Sequence, residues 1–167
     1  AYYTWDTQTS QWLPTMKQEL SYDANQNPSG TIIYMWNTGS GAWMEWMKFE
    51  YTYSNQLLQI YTIYSYGGGA WNLSSKYEYS YNTNNSPTQY IRSNWDGGTS
   101  QWNQYTKYTY TYDANGNNTL GEEFLWDGAI WNNKSKTNRT FNANNKVTYE
   151  ITQNWDGVGW VNLIKRS

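Results

Sequence analysis

The stretch from Trp102 to Trp126, WNQYTKYTYTYDANGNNTLGEEFLW, predicts a β-hairpin and decides the fold class. Its first half alternates between polar and aromatic residues up to Tyr112, which is the two-residue period of a half-buried strand. Asn115-Gly116 fits a two-residue type I′ turn, because both residues tolerate a positive φ. A return strand then runs to Trp126.

This pattern recurs along the chain, so the hairpin is one unit of a tandem repeat. Each copy has a corner of the Trp-Asp type, a second Trp and a turn aromatic. The corners are Trp5-Asp6, Trp36-Asn37, Tyr64-Ser65, Trp95-Asp96, Trp126-Asp127 and Trp155-Asp156. The second Trp precedes the turn aromatic by ten residues in each copy that contains both, as from Trp102 to Tyr112. Because side chains in a strand alternate between faces, this even interval predicts that both lie on one core face, with a solvent face opposite.

The predicted fold is all-β: an antiparallel meander of about six tandem hairpins, about 28–31 residues each, in a curled or flattened sheet. A closed barrel of about twelve strands is the alternative. We expect one domain over residues 1–167, with repeats near 5–35, 36–63, 64–94, 95–125 and 126–154 and a split repeat at 1–4 and 155–167. The turn after Tyr53 is expected to be shorter than the others.

The amino-acid composition argues against several classes of function. Aromatic residues make up 20% of the chain and charged residues 14%, the formal net charge is -2, and Cys and His are absent. These values argue against duplex nucleic acid as a partner, and against disulfides, thiolate chemistry and the usual zinc sites. We expect no cofactor and no membrane insertion. The carboxylates recur at equivalent positions instead of forming one constellation, so we expect no enzymatic activity.

A Lys follows the second Trp by five residues in every copy. The series is Lys17, Lys48, Lys76, Lys107, Lys136 and Lys165. The odd interval predicts that these side chains lie on the solvent face, where cross-strand charges adjust strand pairing. An anion-binding stripe is the alternative.

The corners suggest a glycan-binding platform, because a Trp ring can stack on a sugar while a neighbouring Asp accepts hydrogen bonds from its hydroxyls. The candidate residues are Trp5, Asp6, Trp36, Trp95, Asp96, Trp126, Asp127, Trp155 and Asp156. The alternative is structural: each Trp covers the hydrophobic face at the end of a hairpin, and the Asp forms the turn.

One turn also allows a weak calcium hypothesis. Asp113, Asn115 and Asn117 alternate like the first ligands of a calcium loop. However, Asn118 replaces the Gly expected at the sixth position, and no Glu stands at the twelfth. Turn geometry is therefore the favoured interpretation, with no metal.

The segment KYTYTYDANGN, residues 107–117, together with the W-D-G corners, resembles tandem repeats of large secreted and outer-surface bacterial proteins, many exported by the type IX route. It is also similar to the YD repeats of RHS-type shell proteins. The resemblance implies a secreted or cell-surface, structural or adhesive protein. We expect its split terminal repeats to pair with other copies or with neighbouring repeats, and a polysaccharide-binding module is the alternative.

Overall fold

The computed structural model describes residues 1–167, which form twelve β-strands and no helix. The strands are β1 (Tyr2–Asp6), β2 (Gln11–Tyr22), β3 (Pro28–Asn37), β4 (Ala42–Ser54), β5 (Leu57–Gly67), β6 (Ala70–Tyr81), β7 (Pro87–Asp96), β8 (Gln101–Tyr112), β9 (Asn118–Trp126), β10 (Trp131–Phe141), β11 (Val147–Trp155) and β12 (Trp160–Arg166). No helix of a length and hydropathy suited to crossing a bilayer is present.

The strands follow one another in a single antiparallel sheet in the order β1 to β12. This arrangement confirms the all-β meander of tandem hairpins. The sheet is not closed, because β1 and β12 are its terminal strands and do not pair. The closed-barrel alternative is therefore wrong.

The third corner differs from its prediction. It is formed by Tyr66, whose ring lies 5.1 Å from that of Trp71, and not by Tyr64-Ser65. The error arose because a tyrosine stands at both positions on β5, and seven residues from Tyr64 to Trp71 matched the longer corners. The interval from Tyr66 is five, as in the last two copies.

A β-bulge interrupts the outgoing strand three residues after the second Trp. In β8 the partner of Arg92 is Thr106 and that of Ser93 is Gln104, which leaves Tyr105 unpaired. The equivalent unpaired residues on other outgoing strands are Thr15, Trp46, Lys134 and Leu163. One extra residue reverses the alternation of all side chains beyond it.

The bulge corrects the predicted face assignment. Trp102 and Lys107 lie on one face, whereas Tyr108, Tyr110 and Tyr112 lie on the other, although ten residues separate Trp102 from Tyr112. We call these the tryptophan face, which carries the corner rings and the lysines, and the tyrosine face, which carries the aromatic residues of the second half of each outgoing strand. The prediction that the lysines lie on a solvent face opposite the Trp residues is wrong for the same reason.

The turn after Tyr112 also differs from its prediction. Only Gly116 has a positive φ, of 81°, and its N–H donates to the Asp113 carbonyl over 3.1 Å. The loop therefore comprises three residues between Asp113 and Asn117, a type I turn followed by a left-handed residue. The two-residue turn with both φ positive occurs instead after β4, at Asn55 and Gln56. This confirms the shorter turn expected after Tyr53.

Contacts divide the chain into two compact units, Ala1–Lys76 and Tyr77–Ser167. Neither unit buries a hydrophobic side chain, and the buried residues are Ser75, Ser93 and Thr106. The predicted core face is therefore absent. Because the bulges distribute aromatic residues over both faces of one layer, cohesion comes from half-buried cross-strand neighbours on each face.

Candidate functional site

Edge-to-face aromatic pairs form the corners of the tryptophan face. In the first unit Trp5 lies 5.3 Å from Trp12, and Trp36 lies 5.1 Å from Trp43, with interplanar angles of 66° and 70°. Each pair stands on directly opposed positions of two strands next to a corner. T-shaped contacts at this separation contribute about 0.5–1.5 kcal/mol beyond the buried area.

The second unit repeats the arrangement three times. The ring pairs are Trp95–Trp102 at 5.1 Å, Trp126–Trp131 at 5.1 Å and Trp155–Trp160 at 5.2 Å. All six rings are half-buried. The structure thus brings each predicted platform Trp against a second Trp, which serves the cohesion of the sheet and leaves part of each ring accessible.

The carboxylates of the corner Asp residues accept hydrogen bonds from groups in or beside their own turns. Oδ1 of Asp127 accepts hydrogen bonds from the N–H groups of Ala129 and Ile130, each over 2.9 Å, and Oδ2 accepts one from Asn132 over 2.7 Å. Oδ1 of Asp156 accepts equivalent backbone bonds of 2.9 and 2.8 Å. These hydrogen bonds lower the pKa of both carboxyl groups.

Asp6 and Asp96 behave in the same way. Oδ1 of Asp6 accepts from the Gln8 N–H over 2.9 Å, and its Oδ2 accepts from the Thr9 hydroxyl over 2.6 Å. Oδ1 of Asp96 accepts from the Gly98 N–H over 2.9 Å. Asn37 makes the same bonds at its corner without a charge. At these five corners the side chain after the corner Trp supplies an oxygen that accepts the turn's N–H groups, as the structural alternative supposed.

The lysines lie over aromatic rings of the next hairpin. Lys48 Nζ is 4.1 Å from the centroid of Tyr64 and 5.8 Å from that of Trp71. Lys107 Nζ is 4.5 Å from Phe124 and 5.0 Å from Trp131. These are cation–π distances, so the lysines connect successive hairpins across the tryptophan face. Lys17 lies near the ring of Trp43, and Lys136 near that of Trp160, in the same way.

Two of these lysines, both in the first unit, each belong to a cluster of three residues. Lys48 pairs with Glu50 over 2.9 Å, and the Tyr64 hydroxyl donates to the same carboxylate over 2.6 Å. Burial and the hydrogen bond to Glu50 raise the pKa of Tyr64 to about 12. Lys17, Glu19 and Tyr34 form the same arrangement.

In the turn considered as a calcium site, the side-chain oxygens of Asp113 accept hydrogen bonds from within the turn. Oδ1 of Asp113 accepts from the N–H groups of Asn115 and Asn117, each over 2.9 Å, and Oδ2 accepts from the Asn117 side chain over 2.9 Å. Asn82 and Asn142 cap their turns through the same backbone bonds. A neutral amide therefore suffices, which favours turn geometry. No group of three or more acidic, His or Cys residues is placed to hold a metal ion.

Sequence reasoning missed a cluster on the tyrosine face of the second unit. The rings of Tyr90 and Tyr108 stack at 4.6 Å and 22°. Glu123, opposite Tyr108, accepts hydrogen bonds from Tyr108, from Lys134 over 2.8 Å and from Ser135 over 3.0 Å. Arg92 lies beside them, over the ring of Tyr105 at 5.1 Å. The signal available in the sequence was the single Arg on a return strand, in a repeat whose other copies have no cation there.

Comparisons with known proteins show a likeness of fold to one solved structure and go no further. No protein-family profile and no curated protein matches it. A protein of unknown function from Bacteroides fragilis has a similar structure, with a TM-score of 0.50 and 13% identity over 92% of this chain and 91% of its own. At this identity the likeness shows the fold alone.

Two DUF3836 family proteins have weaker likenesses. The protein from Parabacteroides distasonis has a TM-score of 0.42 and 22% identity, covering 47% of this chain and 72% of its own. The protein from Bacteroides vulgatus has a TM-score of 0.40 and 15% identity, covering 72% of this chain and 98% of its own.

Proposed function

We propose that the chain is a non-enzymatic structural or adhesive repeat module of a secreted or cell-surface protein. The observation that carries this proposal is repetition. Corner pairs, side-chain-capped turns and bridging lysines recur from hairpin to hairpin, and the carboxylates at corners and turns serve the backbone. Residues needed by every copy support the architecture, whereas a catalytic centre requires one particular constellation.

The exposed apolar surface supports a role in contact with other molecules. The exposed fraction is 65% for Trp12, 60% for Tyr22 and 60% for Leu163. A sheet without a buried hydrophobic side chain presents such groups on both faces. On β12 the near neighbours Val161, Leu163 and Ile164 are all exposed, and neighbouring exposed apolar residues are typical of sites of interaction in soluble proteins. The resemblance to bacterial surface repeats supports the extracellular location.

The terminal strands are the proposed points of attachment. The outer edges of β1 and β12 carry backbone groups that no strand of this sheet satisfies. Such an edge accepts another strand, from a neighbouring repeat or from a second copy. Val161, Leu163 and Ile164 on β12 are all exposed, which adds apolar contact to the hydrogen bonding.

Sedimentation velocity over a range of protein concentrations tests this proposal. We expect concentration-dependent association that the substitution Leu163→Lys abolishes, because a charge on an edge strand opposes pairing. The matched control is Val158→Lys, at a residue that is 91% exposed but lies in a corner loop. A protein that sediments as a monomer at every concentration would refute self-association through β12.

Binding of neutral polysaccharide by the tryptophan face is the second candidate function. It is favoured by the row of three corner ring pairs in each unit, with partly accessible rings about 5 Å apart in every pair. Since the corner Asp residues serve their turns, the contribution to a ligand is expected from the rings.

A retention assay across a panel of soluble and insoluble neutral polysaccharides tests this candidate. Trp5→Ala should weaken retention, whereas Trp46→Ala should not, because Trp46 is a bulge residue away from the corners. The two side chains are similarly exposed, at 45% and 48%. Equal retention of both variants, or none by the wild-type protein, would exclude a corner platform.

A further inference from the structure

An open depression of about 270 Å³ lies on the tyrosine face of the second unit. We call it the tyrosine depression, and its lining includes Tyr90, Arg92, Tyr105, Tyr108, Glu123 and Lys134. It is somewhat smaller than the clefts that hold drug-sized ligands. Its size suits one or two rings of a longer molecule that continues across the open sheet.

Arg92 is the unusual residue of this depression. Its Nε is buried and has no hydrogen-bond partner in the protein. Its guanidinium lies over the ring of Tyr105 at 5.1 Å and near that of Tyr77 at 5.9 Å. By contrast, Arg139 Nε donates to Glu150 over 2.8 Å. A buried charged donor without an acceptor is costly, so a ligand that supplies an acceptor gains by satisfying it.

The other charges of the depression are already paired. Glu123 accepts from Lys134, Ser135 and Tyr108, which neutralises its charge and occupies both of its oxygens. Burial keeps the neighbouring tyrosines protonated: it raises the pKa of Tyr90, and together with the hydrogen bond to Glu123 it raises the pKa of Tyr108 to about 12. What remains is one uncompensated cation among neutral hydroxyl groups.

The ring faces complete the site. The Tyr90–Tyr108 stack is flanked by Tyr79, whose ring lies 5.6 Å from that of Tyr90. Aromatic faces beside a few oriented polar groups suit a sugar ring. One free cation suits a ligand with one negative charge per recognised ring, and the planar fork of Arg matches a carboxylate.

We propose that the tyrosine depression binds an acidic sugar, a pyranose bearing a carboxylate, with Arg92 as the carboxylate ligand. A neutral sugar could offer a hydroxyl acceptor, but it would leave the charge of Arg92 uncompensated and give a weaker hydrogen bond than a carboxylate. A dense polyanion such as nucleic acid would meet a single free cation on a chain of net charge -2. This inference does not rest on the proposed function, since it concerns another face and a residue outside the repeat pattern.

Isothermal titration with oligogalacturonate tests the proposal. The comparison ligands are its methyl ester, which lacks only the charge, a neutral galacto-oligosaccharide, and acetate, which lacks the ring. We expect oligogalacturonate to bind at least tenfold more tightly than any of these. Arg92→Gln should abolish the preference, and Arg92→Lys should reduce it, because an ammonium replaces a planar fork.

Arg166→Gln is the matched control, because it removes the same charge from an exposed side chain at the end of β12. It should bind oligogalacturonate as the wild-type protein does. Arg92→Gln removes a buried unsatisfied donor together with the contacts of the guanidinium to the rings of Tyr77 and Tyr105, so these opposing effects should leave the melting temperature nearly unchanged. This second measurement shows directly whether the variant is folded.

Four results would overturn the proposal. The first is that oligogalacturonate causes no heat or chemical-shift change. The second and third are that the methyl ester or acetate binds as tightly as oligogalacturonate. The fourth is that folded Arg92→Gln binds oligogalacturonate as the wild-type protein does. Tighter Arg92-dependent binding of a single-stranded oligonucleotide would replace the acidic sugar with nucleic acid as the ligand. Failure of the sedimentation test leaves these outcomes unchanged, because it probes β12 alone.

Discussion

Replacing Lys107 by Met tests the assignment of the lysines to the tryptophan face. The substitution keeps an unbranched apolar stem of similar length and removes the ammonium, which lies 4.5 Å from the Phe124 centroid and 5.0 Å from the Trp131 centroid. Each exposed or half-buried cation–π contact contributes about 0.5–1 kcal/mol. Because one cation serves both rings, we expect a loss of about 1 kcal/mol.

The assay is urea unfolding at 25 °C followed by far-ultraviolet circular dichroism, together with the melting temperature. A loss of about 1 kcal/mol corresponds to a decrease of about 2–4 °C for a chain of this length. Lys146→Met is the control, since Lys146 is an exposed turn residue. In a double-mutant cycle with Phe124→Leu, the two changes should couple by about 0.5 kcal/mol.

The opposite outcome would be informative. If Lys107 lay on a solvent face away from Phe124 and Trp131, Lys107→Met would match Lys146→Met and the cycle would show no coupling. That result would refute the reversal of faces at the Tyr105 bulge. The same reasoning applies to the other bridging lysines, since each stands two residues beyond the bulge of its own strand.

Three further predictions concern single side chains. Gly116→Ala should cost about 1 kcal/mol of unfolding free energy, because φ is 81° while the space is open; Gly116→Asn should cost only a few tenths, as Asn tolerates this conformation. Asp113→Asn should leave the melting temperature nearly unchanged with or without a chelator, whereas Asp113→Ala should lower it, because the turn needs a side-chain oxygen. Glu123→Gln should cost about 1–2 kcal/mol by weakening bonds to a charged acceptor. Burial raises the pKa of Glu123, but hydrogen bonds from Lys134, Tyr108 and Ser135 lower it overall, below its ordinary 4.5. The wild-type protein should therefore lose this stabilisation as the pH falls through the folded-state pKa, and denaturation at different pH values should show a flatter acid limb for Glu123→Gln.

The sequence predicted the strands well because turn residues and the two-residue period both depend on local chemistry. It did not predict the faces. A ten-residue interval is compatible with an uninterrupted strand and with a bulged one, and only the second separates Trp102 from Tyr112. The available signal was local: two adjacent apolar side chains at Trp46-Met47, and two adjacent polar ones at Thr106-Lys107, break the polar–apolar alternation.

The turn error had a similar origin. Asn-Gly at residues 115–116 is typical of a type I′ turn, but the Asp113 side chain binds two backbone N–H groups beyond it and fixes a longer loop. The other copies carried the correcting information. Residues equivalent to Gly116 are Gln26, Asn85 and Asn145, each the one residue of its loop with a positive φ.

Differences between copies also separate the supporting residues from the proposed binding residue. Three residues before the six corner aromatics the chain has Tyr2, Ile33, Ile63, Arg92, Glu123 and Thr152. This position faces the tyrosine side, opposite the corner rings, and the repeat does not constrain its chemistry. Arg92 and Glu123 occupy this position on the two strands that flank β8. The Glu123 carboxylate accepts a hydrogen bond from Lys134, whereas the Arg92 Nε has no hydrogen-bond acceptor. In a sheet whose repeated residues all serve strands, turns and ring pairs, a ligand is best recognised at a position that varies among the copies. Arg92 is the varied residue whose buried Nε lacks a hydrogen-bond acceptor.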